Sequence, residues 1–152
     1  MRASALPIIG IHHLAIITAD YPRARDFYHR ILGLPIISET WRAARASWKL
    51  NLALPDGSQL ELFSFPAPPA RPSQPEACGL RHLALATDAL QDLRAALLQQ
   101  GVPCEEIRLD ELTGQHFFFC QDPDQLPIEF YAHPPCRKKA RKASRGNGRA
   151  NR

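Results

Sequence analysis

HHLAIITADYPRARDFYHRILGL, residues 12–34, and RHLALATDALQDLRAALLQQGV, residues 81–102, read as two versions of one unit. Aligned on His13 and His82, both continue Leu-Ala-aliphatic and reach an acid, Asp20 or Asp88. Both then enter a helix-like stretch that stops at a glycine, Gly33 or Gly101. The correspondence extends further along the chain. Pro55-Asp56-Gly57 and Asp122-Pro123-Asp124 are turn signals. An apolar strand with one internal acid follows each turn: QLELFSF, residues 59–65, and PIEFYAH, residues 127–133. Glu61 lies 48 residues after His13, and Glu129 lies 47 after His82. A period of this kind marks an internal repeat.

Each copy reads as βαβββ. GIHHLAIIT (10–18) is rich in β-branched residues and too short for a typical helix. Asp20 is placed to cap a helix N-terminus, with Pro22 in the first turn where proline is tolerated. Ala24, Phe27, Ile31 and Leu32 share a helical face, and Gly33 ends it. Strands are expected near 35–42, 45–54 and 58–65. The second copy predicts a strand at 80–87, a helix at 89–100, and strands near 104–109, 115–121 and 126–132. The fold class is therefore α+β, with two tandem modules forming a curved mixed sheet around a site. Module one covers 8–65 and module two 80–133. FPAPPARPSQPEACG (65–79) is too proline-rich for a central strand, so 66–79 is the linker.

The formal charge of +4 belongs to the tail. Residues 137–152 hold 8 of the 19 Lys and Arg and no acid, which leaves 11 basic against 15 acidic groups elsewhere. The tail is expected to be disordered, with contact to nucleic acid, if any, confined to it. No apolar run approaches the roughly 20 residues of a membrane span, and no secretory signal is read at the N-terminus. Cys78, Cys104, Cys120 and Cys136 form no CxxC pair, so they read as free thiols of a cytoplasmic protein.

The repeat also decides which residues carry chemistry. Positions two apart on a strand face the same way. A histidine and a glutamate on neighbouring strands of each copy can therefore enter one cavity. Two copies related by a pseudo-twofold axis bring His13, Glu61, His82 and Glu129 to one divalent metal. An N2O2 donor set suits nickel, cobalt or zinc, and admits manganese or iron. It leaves positions for water or a bidentate substrate, and a carboxylate beside it can move a proton. His12, as the neighbour of His13, is expected to point to the opposite strand face. His12, His29, His116 and His133 are assigned to structure or surface. Trp41, Arg42, Arg45, Trp48 and Lys49 are expected on pocket-wall strands, where arginine and indole grip anionic or planar groups.

The chain resembles glyoxalase I and its vicinal-oxygen-chelate relatives over about residues 8–133. HHLAIITAD, DFYHRILGL, QLELFSF, LRHLALATD and QDPDQLPIEFY carry the likeness. The resemblance implies a metal held by His13, Glu61, His82 and Glu129, drawn from both modules and often across a homodimer interface. It implies Glu129 as the proton-transfer base, with Glu61 as ligand and second base. It implies a lyase or isomerase acting next to a carbonyl in a small carbonyl or thiol-adduct substrate. Ile17 stands where glyoxalase I has an arginine that helps hold glutathione, and Phe65 where the family often has asparagine. Gln125 replaces a glycine usual after the second Asp-Pro-Asp. An extradiol-type dioxygenase and a non-catalytic binding module are the competing readings.

Overall fold

The computed structural model describes residues 6–133. The expected basic tail at 137–152 and Cys136 lie outside these residues. Module one supplies β1 (His13–Thr18), α1 (Tyr21–Arg25), β2 (Ile36–Arg42), β3 (Ser47–Ala53) and β4 (Gln59–Ser64). Module two supplies β5 (Leu83–Thr87), α2 (Leu90–Gln99), β6 (Arg108–Leu109), β7 (His116–Gln121) and β8 (Pro127–Ala132). Two four-stranded mixed sheets result, ordered β1-β4-β3-β2 and β5-β8-β7-β6. In each, the first strand runs parallel to the last, and the remaining pairs are antiparallel.

Alternation along the strands divides each sheet into a core face and an open face. Leu50, Leu52, Leu60 and Leu62 are fully buried on the core face of the first sheet. Phe118, Ile128 and Phe130 do the same in the second. Ala24, Phe27 and Tyr28, with Leu90 and Leu97 of α2, join them in one cluster. Burial of each large apolar side chain contributes about 1.5–3 kcal/mol.

The helices start and stop as their sequences dictate, with one correction. Asp20 caps α1 by accepting from the Arg23 N–H at 3.1 Å, and Pro22 sits in the first turn. The expected α-helix to Leu32 nevertheless changes character: Asp26–Ile31 is π-helical. The Leu32 N–H reaches the Phe27 carbonyl, five residues back, at 2.9 Å. The wider turn brings the adjacent side chains of Phe27 and Tyr28 towards the same side, and both are buried. At the end of α2, Gly101 has φ 78°. Its N–H bonds the Leu98 carbonyl at 3.0 Å, and that of Val102 bonds Leu97 at 3.0 Å. This double closure requires the left-handed residue that glycine supplies without strain.

Two other expectations are corrected. The strand predicted near 104–109 shrinks to Arg108–Leu109, preceded by an isolated bridge between Cys104 and Cys120. The strand predicted from residue 80 begins at Leu83, because the Leu80 and Arg81 carbonyls accept from Arg71 Nη2 and not from a strand neighbour.

The modules are fastened through the Asp122-Pro123-Asp124 turn. The Tyr28 hydroxyl, fully buried, donates to Asp122 Oδ2 at 2.8 Å. Thr18 Oγ1 donates to Asp124 Oδ2 at 2.5 Å, and the Ala19 N–H to Asp124 Oδ1 at 2.9 Å. Asp122 also accepts from the Asp124 and Leu126 N–H groups. Burial raises its carboxyl above the ordinary range, against the pull of these donors. Gln125 takes φ 67° to complete the turn, a conformation that costs a side-chain-bearing residue about 1–2 kcal/mol.

Tyr28→Phe removes the donor and leaves the buried Asp122 oxygen short of a partner. We expect a loss of about 1–3 kcal/mol, read as a lower urea midpoint with an unchanged m-value. A midpoint equal to that of wild type would show that this bond does not fasten the modules.

Candidate functional site

The parallel register of β1 on β4 sets Ala15 beside Glu61 and His13 beside Gln59. His13 and Glu61 therefore project from the same open face. His13 Nε2 lies 3.6 Å from Glu61 Oε2. The second module repeats the arrangement, with Ala84 beside Glu129. There His82 Nε2 lies 3.0 Å from Glu129 Oε2, and the His82 ring meets the Phe119 ring edge-on at 5.3 Å. The structure thus unites the four sequence candidates as two His–Glu pairs, one on each sheet. Among the described residues of one chain, no group of three or more His, Cys, Asp or Glu side chains is gathered closely enough to hold a metal.

Each pair taken alone fits a divalent cation. Two donors about 2.1 Å from one metal, at adjacent octahedral or tetrahedral positions, stand about 3.0–3.4 Å apart. The observed separations of 3.0 and 3.6 Å are close to that spacing. Imidazole nitrogen with carboxylate oxygen is also a donor set of mixed softness, suited to the later first-row metals.

The two glutamates sit in different surroundings. Glu61 is only 8% exposed. Lys49 Nζ stands 3.0 Å from its Oε1, and Asn51 Nδ2 donates to the same oxygen at 2.9 Å. Burial pushes the Glu61 carboxyl up, but the Lys49 and Asn51 hydrogen bonds and the Lys49 charge together hold it below the ordinary value. In the second sheet, Phe119 lies directly beside Glu129 and Phe117 beside Tyr131. These aromatics take the places of Asn51 and Lys49. Among the described residues, Glu129 has His82 as its ion-pair partner and no clamp of the Lys49 kind. Sequence reading does not single out Asn51, Phe117 or Phe119. A signal exists all the same: on strands paired antiparallel to β4 and β8, they occupy the register positions beside and next to the glutamates.

Other expectations are redistributed. β1 begins at His13, so His12 precedes the strand and strand alternation does not govern it. Its Nδ1 lies 2.9 Å from His13 Nδ1, with the rings edge-on. His12 is therefore beside His13 and not on the opposite face. One Nδ1 must carry the proton and the other accept it, an arrangement that fixes ring orientation as outer partners of metal-binding histidines do. Lys49 and Arg42 belong to the open face, where both stand over the Phe63 ring. Trp41 and Trp48 pair with each other on the other face, and Trp48 stacks on Tyr21 at 5.4 Å. They do not line the pocket, and Arg45 is exposed in the turn before β3. Arg108, unremarked in the sequence, lies beside Phe117 in the second sheet, where Thr40 lies beside Lys49 in the first, and its guanidinium stands 5.0 Å over the Phe117 ring. His29 Nδ1 is tied to the Leu34 carbonyl, in a structural role. Burial pushes the Cys120 thiol up to about 12, which rules it out as a thiolate nucleophile at neutral pH.

Lys49→Met should let the Glu61 carboxyl rise, a shift that a carboxyl-carbon NMR titration reads directly. Glu61 is held below its unfolded value of 4.5. The stability it contributes is therefore present above that pH and lost as pH falls through the folded value. The stability gap between wild type and variant should narrow on acidification below about pH 4.5. A constant gap would show that Lys49 does not act through the Glu61 charge.

Comparison with known proteins agrees with this architecture. The family model for the Glyoxalase/Bleomycin resistance protein/Dioxygenase superfamily matches residues 10–130. The chain is 52% identical to the uncharacterised protein YaeR of Escherichia coli over 121 residues, covering 80% of this chain and 94% of YaeR. It is 50% identical to the uncharacterised protein YwkD of Bacillus subtilis over 122 residues, covering 80% and 95%. The crystal structure of a glyoxalase family protein from Enterococcus faecalis superposes with a TM-score of 0.76 at 40% identity, covering 80% of this chain and 96% of that one. Paired His–Glu sheets on a duplicated βαβββ plan and a match to the family model over most of the chain have one conclusion: the chain belongs to the Glyoxalase/Bleomycin resistance protein/Dioxygenase superfamily.

Proposed function

We propose that the protein is a divalent-metal-dependent lyase or isomerase that moves a proton next to a carbonyl, with each site built by two copies of the chain. The observation that carries this reading is the inequality of the two glutamates. His13, Glu61 and His82 would hold the metal with Glu129, and nickel, cobalt or zinc suits the four donors. When bound, such a metal supplies Lewis-acid polarisation of the substrate's carbonyl oxygen. Glu61, clamped by Lys49 and Asn51, is suited to remain a fixed charge. Glu129, without that clamp, is the carboxylate free to swing, take a proton from one carbon and return it to the neighbour. The substrate is a small carbonyl compound. The exposed Ile17, at the position of a glutathione-holding arginine, argues against a glutathione adduct.

The two-copy site has its own support. The four ligands form separate pairs within one chain, and β1 and β5, which lead into them, are sheet-edge strands. Ile9, Ile11 and Ile17 on and before β1 are exposed. A second copy against these edges would join one chain's His13 and Glu61 to its partner's second-module pair.

A second reading also follows from the clamp. If Lys49 keeps Glu61 from the metal, His13, His82 and Glu129 form a two-histidine, one-carboxylate set of the kind that binds iron(II) in oxygenases. Iron dependence with oxygen consumption would select it.

The metal-stripped protein should recover one nickel, cobalt or zinc ion per chain. Glu129→Gln should lower turnover of a small 2-oxoaldehyde or its thiol adduct by about 10²–10⁴-fold. Neither His13→Ala nor His82→Ala chains should bind metal tightly alone, whereas their mixture should regain intact sites, since one site of the mixed dimer keeps both histidines. Failure of the mixture with an intact wild-type site would place the ligands within one chain. Failure of wild type to bind any of the metals would end the metal reading.

A further inference from the structure

Among the described residues, the linker between the modules carries the one arginine on the wall of the cavity beside His82 that is fixed in place and lacks an anionic partner. The cavity has a volume of about 1470 Å³ and is lined by Asp26 and Arg30 of the first module, Arg71 and Ser73 of the linker, and His82 and Phe119 of the second module among others. Arg71 Nη2 donates to the Leu80 carbonyl at 2.8 Å and to the Arg81 carbonyl at 2.9 Å. Those two carbonyls immediately precede His82, so the guanidinium is pinned to the backbone that leads into a candidate ligand. Both bonds use one nitrogen and neither neutralises the charge. Arg71 Nε is buried with no hydrogen-bond partner among the described residues, and so is Ser73 Oγ, two residues on. The other arginines on these walls differ: Arg30 is paired with Asp26, Arg81 with Glu76 and Arg108 with Glu105, or, at Arg23, the side chain is not held.

A buried donor without an acceptor costs about 1–3 kcal/mol. Both paired edges of a guanidinium include Nη2, which here is committed to the two carbonyls, so Nη1 is the nitrogen left to donate a charge-assisted bond to a carboxylate or phosphate oxygen. Immobilising it beforehand removes most of the entropy cost of gripping such a group. Linker proline content serves the same end: four of the residues from 66 to 72 are proline, which limits the conformations the Arg71 backbone can visit.

We propose that Arg71, with Ser73, is the anchor for an oxyanion group, carboxylate or phosphate, on the substrate that enters the His82 cavity. The substrate class is thereby an anionic carbonyl compound, its charged end on the linker and its reacting end at the histidine. The proposal rests on the metal reading only for the identity of the reacting end, because the anchor lies outside the four candidate ligands.

The test follows the Arg71 Nε–Hε resonance of the ¹⁵N-labelled full chain, assigned by its loss in Arg71→Lys, during separate titrations with inorganic phosphate and with succinate. A saturable shift is expected with the ion whose geometry fits, and the two titrations decide between phosphate and carboxylate. Arg71→Gln should weaken binding of that ion by about tenfold or more, with Arg30→Gln within about twofold of wild type. Glu129→Gln should leave the shift intact, which separates this outcome from failure of the metal site. No saturable shift up to about 20 mM of either ion, or equal losses in Arg71→Gln and Arg30→Gln, would overturn the proposal. The wild-type titration decides this even where a variant disturbs the linker.

Discussion

A histidine at the start of a module and a glutamate near its end meet only because the first and last strands lie side by side and run parallel. An antiparallel neighbour could be reached by a tight hairpin, whereas a parallel one needs a crossover. Here the helix and two strands between β1 and β4 provide it. The same crossover places α1 on the core face and leaves the other face open. A slip of one residue in this pairing would turn Glu61 or Glu129 into the core and expose the apolar residues on either side. The fully buried Leu60 and Leu62 therefore hold the register that aims Glu61 outward, and Ile128 and Phe130 do so for Glu129.

The two modules share one geometry, and their sequences give it two different surroundings. Asn51 and Lys49 surround one glutamate with donors; Phe119 and Phe117 surround the other with rings. In a low-dielectric setting a fixed cation favours the ionised carboxylate, and the Glu61 carboxyl is held below its ordinary value. Each sheet also sets an arginine over a ring, Arg42 over Phe63 and Arg108 over Phe117, but from different register positions, so positive charge beside the open face is common to the two halves while its placement and the clamp are not.

The repeat was legible because it lies in local pattern: His, aliphatic run, acid, helix, glycine, turn, apolar strand with one acid. Asp20 as a cap and Gly33 and Gly101 as stops were legible for the same reason, since each acts on neighbours a few residues away. What escaped depends on distant partners. The π-helical turn at Asp26–Ile31 follows from burying Phe27 and Tyr28 together, and Tyr28 does so to reach Asp122, 94 residues on. The two tryptophans turn away from the expected pocket wall because facing depends on register with β3 and on a bulge between Ile36 and Ser38, neither of which the residues announce. One residue of strand length decides the placement of His12.

An edge strand exposes unpaired N–H and C=O groups, and proteins blunt such edges with charge, proline or cover. Pro7 apart, β1 and the segment before it present aliphatic residues: Ile8, Ile9, Ile11 and Ile17 are exposed. That is an unfavourable surface for a chain acting alone. It is also the border beside which His13 stands half-exposed, with one carboxylate and a second imidazole for company. Covering the edge and completing the donor set are thus two demands on one border. Rotation of an identical copy about a twofold axis would meet both, because a twofold brings each chain's edge to its partner's equivalent surface and does so twice at once.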